Sequence, residues 1–216
     1  PTGQGQNLRL RYDGRTYDVA LPLAGAFQAS NILVAAGLAL ATGAKADSVF
    51  AALAKIEGAP GRLEKVGVKA NGAAVYVDYA HTPDAIETAI AALRPHTKGR
   101  LFIAFGCGGD RDPGKRPLMG SAASKADFVI VTDDNPRSEN PAAIRKAALA
   151  GVTATLKEIG DRAEAIRYGI KNLGAGDVFI VAGKGHETGQ TIGGVTHHFN
   201  DAEEVRAALG ELGGAA

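Results

Sequence analysis

Hydrophobic and polar positions repeat at two different periods along this chain, and the change from one to the other divides it. Residues 8–23 alternate at period two through "LRLRY" and again through "TYDVALPL", with Asp13 and Gly14 between the two runs. Alternation around an Asp-Gly dipeptide predicts a β-hairpin. Two helices are expected next: "AFQASNILVAAGLALATG", stopped at Gly43, and "ADSVFAALAKI", opened at Ala46 or Asp47. The run "GAPG" at residues 58–61 then breaks the periodicity and sets a boundary to within a few residues.

Beyond it, short apolar runs alternate with amphipathic ones. "AAVYVDYA", "RLFIAFGC", "DFVIVTDD", "LKEIGD" and "DVFIVAGKG" are separated by "TPDAIETAIAALRPH", "KRPLMGSAASKA", "NPAAIRKAALAG" and "RAEAIRYGIKNL". Strands apolar on both faces, each followed by a helix, predict an α/β fold. The expected architecture is a Rossmann-like, mostly parallel sheet with helices on both faces over residues 61–216, preceded by a small α+β lobe over residues 1–60. Thr82 and Asn140 each precede a proline, and Asp161 with Glu164 has capping-box spacing, so three helix starts have support independent of periodicity.

In an open parallel sheet, ligands bind beyond the carboxyl ends of the strands. Four strands end in polar clusters: residues 78–81, 106–116, 133–137 and 183–187. They are expected to share one rim.

Composition narrows the classes. At 216 residues and 45% hydrophobic content the chain can bury a real core, and 24 Lys and Arg against 23 Asp and Glu give no global field for nucleic acid or an anionic bilayer. The longest apolar run, residues 32–41, is about half of what a bilayer span needs. One cysteine, Cys107, and no signal peptide at Pro1 fit a reducing cytoplasm. Because Pro1 is not a natural initiator, the chain is expected to be part of a longer polypeptide.

"GCGGDRDPGKR" invites three phosphate readings, and each fails on spacing. Gly106 and Gly108 lack the third glycine of a dinucleotide fingerprint, where Arg111 stands. A cysteine-phosphatase loop needs arginine where Pro113 stands. The P-loop pattern runs from Gly109 to Lys115 but ends on Arg116 instead of Ser or Thr, and Asp110 and Asp112 would face phosphate with like charge. Cys107 is read as a small packing residue. Alone, Asp110 and Arg111 would be an exposed loop ion pair. "TDDNPR" at the neighbouring strand end changes that, since a guanidinium fork pairs with carboxylate while Asp and Asn accept from an ammonium. Arg111, Asp134, Asn135 and Arg137 together suit a zwitterion such as a free amino acid. Glu187 in "AGKGHETGQ" offers a carboxylate for a second ammonium, although that stretch can also be read as a plain glycine-rich turn. Asp78 either caps a turn or, with His81, holds a ribose or base. His197 and His198 have no partner at metal-ligand spacing and are read as surface residues.

"VDYAHTPDA", "GCGGDRDPGKRP", "TDDNPR" and "GKGHE", in this order, resemble the C-terminal domain of the Mur ligases, in particular their diaminopimelate-adding members. "LAGAFQASNILVAAGLA" and the linker "GRLEKV" resemble the end of that family's central ATPase domain, so residues 1–60 are expected to be its remnant. The resemblance implies a cytoplasmic, monomeric ligase of peptidoglycan synthesis. It would join meso-diaminopimelate to UDP-N-acetylmuramoyl-L-alanyl-D-glutamate, a UDP-N-acetylmuramoyl-dipeptide, through an acyl phosphate made with ATP. The implied amino-acid site is Arg111, Asp134, Asn135, Pro136, Arg137, Gly183 and Glu187. Asn31, Arg62, Asp78 and His81 match positions of nucleotide contact. Magnesium ligands, the P-loop and catalytic residues are expected in parts this chain lacks, so it is expected to be inactive alone. The alternative is a stand-alone amino-acid-binding or regulatory module without catalysis.

Overall fold

The structure, a computed structural model, describes residues 2 and 5–213. It divides into two compact units, one running to Gly58 and including Ala91–His96, the other Ala59–Ile90 with the rest from Thr97 onward.

The first unit holds the predicted hairpin, β1 (Gln6–Tyr12) against β2 (Arg15–Leu21), with Tyr12 opposite Arg15. Asp13 at φ 48° and Gly14 at φ 73° supply the two left-handed residues that a tight two-residue turn demands. Helices α1 (Ala26–Ala41) and α2 (Ala46–Leu53) follow, and Gly43 sits at φ 95° beyond α1 as the expected stop. Val19, Leu21, Ile32, Ala36, Phe50 and Leu53 form this unit's core.

The second unit is built on a six-stranded sheet of order β3-β4-β8-β5-β6-β7. Its parallel strands are β4 (Ala74–Asp78), β5 (Leu101–Phe105), β6 (Phe128–Val131), β7 (Thr155–Glu158) and β8 (Val178–Ala182). Between them run α3 (Pro83–Leu93), α4 (Lys115–Ala123), α5 (Pro141–Leu149) and α6 (Arg162–Lys171). Every residue of β5 and β8 is buried, as the continuous apolar runs predict for central strands, whereas β7 is exposed throughout and forms an edge. Four elements were not read from the sequence. β3 (Glu64–Val68) begins inside the segment taken as a linker and pairs antiparallel with β4. β9 (Gly189–Ile192) and β10 (Val195–His198) make a separate hairpin, and α7 (Asp201–Glu211) closes the chain against α6 and β3.

The helix starts follow their caps. Asn140 accepts from the backbone N–H of Ala142 at 2.9 Å and of Ala143 at 3.3 Å, and Asp161 accepts from Glu164 N–H at 2.8 Å. Asn140→Ala is expected to cost about 1 kcal/mol of stability, read as a lower urea midpoint at unchanged slope. Among the described residues no helix is long and apolar enough to cross a membrane.

Candidate functional site

The chain runs outward from β4 through β5 and β6 to β7 at the edge and then returns to place β8 between β4 and β5, and the loops after β4, β5, β6 and β8 open onto one rim. A cleft of about 320 Å³ lies there, close to the lower end of small-molecule clefts. All four predicted polar clusters reach it: Tyr79 and His81 from the first, Cys107 and residues 111–112 and 115–116 from the second, Asp134, Asn135 and Arg137 from the third, Gly183 and Glu187 from the last.

The two arginines singled out from sequence converge. A Cβ built on Gly108 would lie 2.9 Å from Arg137 Nη1 and 3.5 Å from Arg111 Cγ, so both side chains reach the same short stretch of backbone. Arg137 is half-buried; its Nη1 donates to Gly109 O at 2.8 Å and Asn135 O at 3.4 Å, leaving Nη2 and Nε without hydrogen-bond partners among the described residues. Arg111 is exposed, and among the described residues its one hydrogen bond is from Nη1 to the neighbouring Asp110 carbonyl at 3.3 Å. Asp110 does not pair with Arg111: its carboxylate accepts from Ser138 Oγ at 2.6 Å, and that bond holds its pKa below the usual carboxylate range. Instead of the loop ion pair that this segment read alone would suggest, Asp110 makes a bond that ties the β5 loop to the β6 loop.

Further ties hold those loops together. Glu139 accepts from Asp110 N–H at 2.6 Å and from Arg116 Nη2 at 2.8 and 2.9 Å, and Gly109 N–H donates to Asn135 O at 3.0 Å. Gly109 has to be glycine, because a Cβ there would stand 1.9 Å from Pro136 O. The β9–β10 hairpin grips the same loop: Arg137 N–H donates to Thr191 O at 3.0 Å, and Gly193 N–H donates to Arg137 O at 2.7 Å. Together these bonds hold Asp110, Asn135 and Arg137 at φ 53°, 44° and 51°. Left-handed backbone costs a non-glycine residue on the order of 1 kcal/mol or more, least for Asp and Asn.

Several predicted residues make structural bonds beside the role expected of them. Asn135 also ties loops together: its Oδ1 accepts from Thr191 N–H at 2.9 Å, using one of its two lone pairs, while its Nδ2 donates to Glu187 Oε2 at 3.1 Å. Asp134 is buried with its Oδ1 3.4 Å from Lys184 Nζ. Pro136 is buried behind Gly109 and does not line the cleft. Gly183, at φ 120°, lines it; a Cβ there would come within 2.5 Å of Asp134 Oδ2.

Of the nucleotide candidates, His81 is exposed on the cleft wall with Nδ1 against Tyr79 O at 2.8 Å. Arg62 lays its guanidinium 4.6 Å above the Tyr79 ring. Asp78 caps a turn: it accepts from Ala80 N–H at 2.8 Å and Leu63 N–H at 2.7 Å, and burial raises its pKa. Arg62 and Asp78 are not among the cleft's lining residues. Asn31 belongs to the first unit, on α1, where its amide donates to Gln28 Oε1 at 3.2 Å.

Sequence reasoning missed Lys184, Arg116, Lys115 and the pair Arg162–Asp201. Lys184 sits inside a motif that was quoted, and its burial had no local signal. Cys107 is buried as expected, its Sγ 3.6 Å from Met119 Sδ, and burial pushes its thiol pKa up to about 12. His198 is on the surface as expected, against Glu203 at 2.6 Å. Among the described residues no group of three or more His, Cys, Asp or Glu side chains could hold a metal ion.

The family model for "Mur ligase, glutamate ligase domain" matches residues 61–185. The UDP-N-acetylmuramoyl-L-alanyl-D-glutamate--2,6-diaminopimelate ligase of Mesorhizobium japonicum is 58% identical over 207 residues, which is 95% of this chain and 43% of that protein. The corresponding ligase of Caulobacter vibrioides is 55% identical over 97% of this chain and 43% of its own length. A solved structure of a ligase of that name superposes with TM-score 0.77 at 39% identity, covering 97% of this chain and 44% of that one. The UDP-N-acetylmuramate-alanine ligase of Thermotoga maritima, at 17% identity and TM-score 0.67 over 98% of this chain and 43% of its own, shares the fold. The chain thus spans less than half the length of these relatives.

Proposed function

Because the chain belongs to the Mur ligase family, we propose that it is the amino-acid-binding part of an ATP-dependent ligase that adds meso-diaminopimelate to UDP-N-acetylmuramoyl-L-alanyl-D-glutamate. The observation that carries this reading is the convergence of Arg111 and Arg137 beside Gly108, in one cleft with the Glu187 carboxylate. Diaminopimelate differs from lysine by a carboxylate at the far end. Two guanidinium groups with unused donors fit that carboxylate, and a ligand lacking it leaves them unpaired at a cost.

In the proposed reaction ATP phosphorylates the peptide's terminal carboxylate, the near amine of diaminopimelate attacks the acyl phosphate, and phosphate departs from the tetrahedral intermediate. The residues of this chain bind and orient. Arg137 and Arg111 hold the far carboxylate, and Glu187 holds the far ammonium. Arg62 and His81, each against the Tyr79 ring, offer a cation and an imidazole for nucleotide contact, while Asp78 shapes the turn that carries them. Asn31 is a separate nucleotide contact in this reading. Magnesium would aid the phosphoryl step, and no step here is assigned to this chain through it.

Phosphate release tests the reading directly. The full-length protein carrying this chain should release phosphate only with ATP, the UDP-linked dipeptide and meso-diaminopimelate all present, and replacing diaminopimelate by lysine should lower kcat/KM by at least ~100-fold. Equal turnover of lysine would sink the assignment. The 216-residue chain alone should give no turnover under the same conditions.

A further inference from the structure

Lys184 is fully buried, with its Nζ 3.4 Å from Asp134 Oδ1 and 3.4 Å from Glu187 Oε2. It shares the loop after β8 with Glu187, while Asp134 belongs to the loop after β6, so Lys184 joins two loops of the rim. A buried ammonium persists only when paired, so this placement must be answered by the surrounding carboxylates. Next to it Arg162, also fully buried, holds Asp201 through bonds of 2.7 and 2.8 Å and donates Nη2 to Ala182 O at 2.9 Å. The cluster therefore sets two cations, Lys184 and Arg162, against three carboxylates, Asp134, Asp201 and Glu187. Asp201 has Arg162 to itself, whereas Asp134 and Glu187 share Lys184, and Glu187 is the most exposed of the three carboxylates, with 36% of its side chain open.

The orientation of Glu187 is fixed from one side only. Its Oε2 accepts from both Lys184 Nζ and Asn135 Nδ2, the latter at 3.1 Å, while Oε1 has no partner among the described residues. A glutamate tethered through one oxygen presents the other, and the cleft is what Glu187 lines.

We propose that Lys184 is a positioning residue for amine recognition: from beneath the cleft it anchors one oxygen of Glu187 and the Asp134 carboxylate, so that the second Glu187 oxygen meets the substrate's non-reacting ammonium. This rests on the reading of the cleft as an amino-acid site and adds what aims its carboxylate. Lys184 touches no substrate; it acts through Glu187. The untethered Glu187 oxygen is paired only when that ammonium arrives, which makes the site selective for a diamine over a monoamine of the same length and acidity.

The test compares meso-diaminopimelate with 2-aminopimelate, which keeps both carboxylates and the reacting amine but lacks the other amine. Binding to the full-length protein is measured by calorimetry, and turnover by phosphate release. The unchanged protein should prefer the diamine at least ~10-fold, and Lys184→Gln should reduce that preference at least ~5-fold with the KM for ATP unchanged. An unaltered preference in a folded Lys184→Gln protein, or no preference in the unchanged one, overturns the proposal. Should Lys184→Gln not fold, the variant Lys184→Met/Asp134→Asn removes both buried charges and is compared with Asp134→Asn alone. A lower preference in the double variant supports positioning through Glu187, and equal preference overturns it. Failure of the ligase reading looks different: diaminopimelate would bind without turnover, and the binding preference would still decide the role of Lys184. If neither compound binds, both readings fall.

Discussion

Arg137→Ala in the full-length protein is expected to cut kcat/KM for meso-diaminopimelate by roughly 30-fold to several thousand-fold. That range corresponds to about 2–5 kcal/mol for truncating one member of a partly desolvated charged pair. The loss should fall on the KM for diaminopimelate, with the KM for ATP little changed. Two effects contribute. The far carboxylate loses a charged donor, and the left-handed backbone at Arg137, φ 51°, loses the bond from Nη1 to Gly109 O that helps hold it. Arg137→Lys separates them: a lysine keeps the charge but not the planar fork, and should recover only a minor part of the loss. A drop of less than ~3-fold for Arg137→Ala would refute the carboxylate role, because an unpaired carboxylate in a cleft of this kind costs more than that.

Arg162→Met is expected to destabilise the fold by about 3–5 kcal/mol, the largest stability loss for a single substitution in the second unit. Both side chains of the Arg162–Asp201 pair are completely buried. Burial by itself would lower the Arg162 pKa, but the charge and bonds of Asp201 outweigh it and raise it. Removing the guanidinium leaves the buried Asp201 carboxylate at the start of α7 without its paired cation, and the helix N-terminus offsets this by at most ~2 kcal/mol. Ala182 O loses its donor as well. The double variant Arg162→Met/Asp201→Leu should recover at least half of the loss, since well-packed apolar replacements of buried pairs are often neutral. Urea unfolding followed by circular dichroism reads both numbers, and a loss below ~1 kcal/mol for Arg162→Met would show that the pair does not hold α7 in place.

The site was legible in the sequence where its residues are neighbours. "TDDNPR" and "GCGGDRD" announced themselves because they place charge at the ends of apolar strands, and parallel-sheet geometry says where such ends meet. Roles were less legible than membership. Asn135 and Asp134 were read as acceptors for an ammonium, yet each is bonded to a partner about fifty residues away, Thr191 and Lys184. Nothing local to "DDNP" reports those partners. The ties that pull the two arginine loops together, Arg116 and Asp110 N–H to Glu139, are likewise pairings between crossover units. α7 could have been found: Asn200 followed by Asp201, Glu203 and Glu204 is a helix-start signal. β9 and β10 gave little, being four residues each and mostly exposed.

What the sequence determined by itself was the local menu: the Asp13–Gly14 turn, the capped helices, and the apolar runs whose only stable home is a covered parallel sheet. These follow from backbone sterics, hydrogen-bond satisfaction and periodicity, all of which act over a few residues. Tertiary structure alone decided that β8 enters between β4 and β5, and hence that Lys184 and Glu187 rise beside Asp134. Strand order and buried ion pairs are settled by which surfaces and charges can be satisfied together, and that is a property of the whole packed unit.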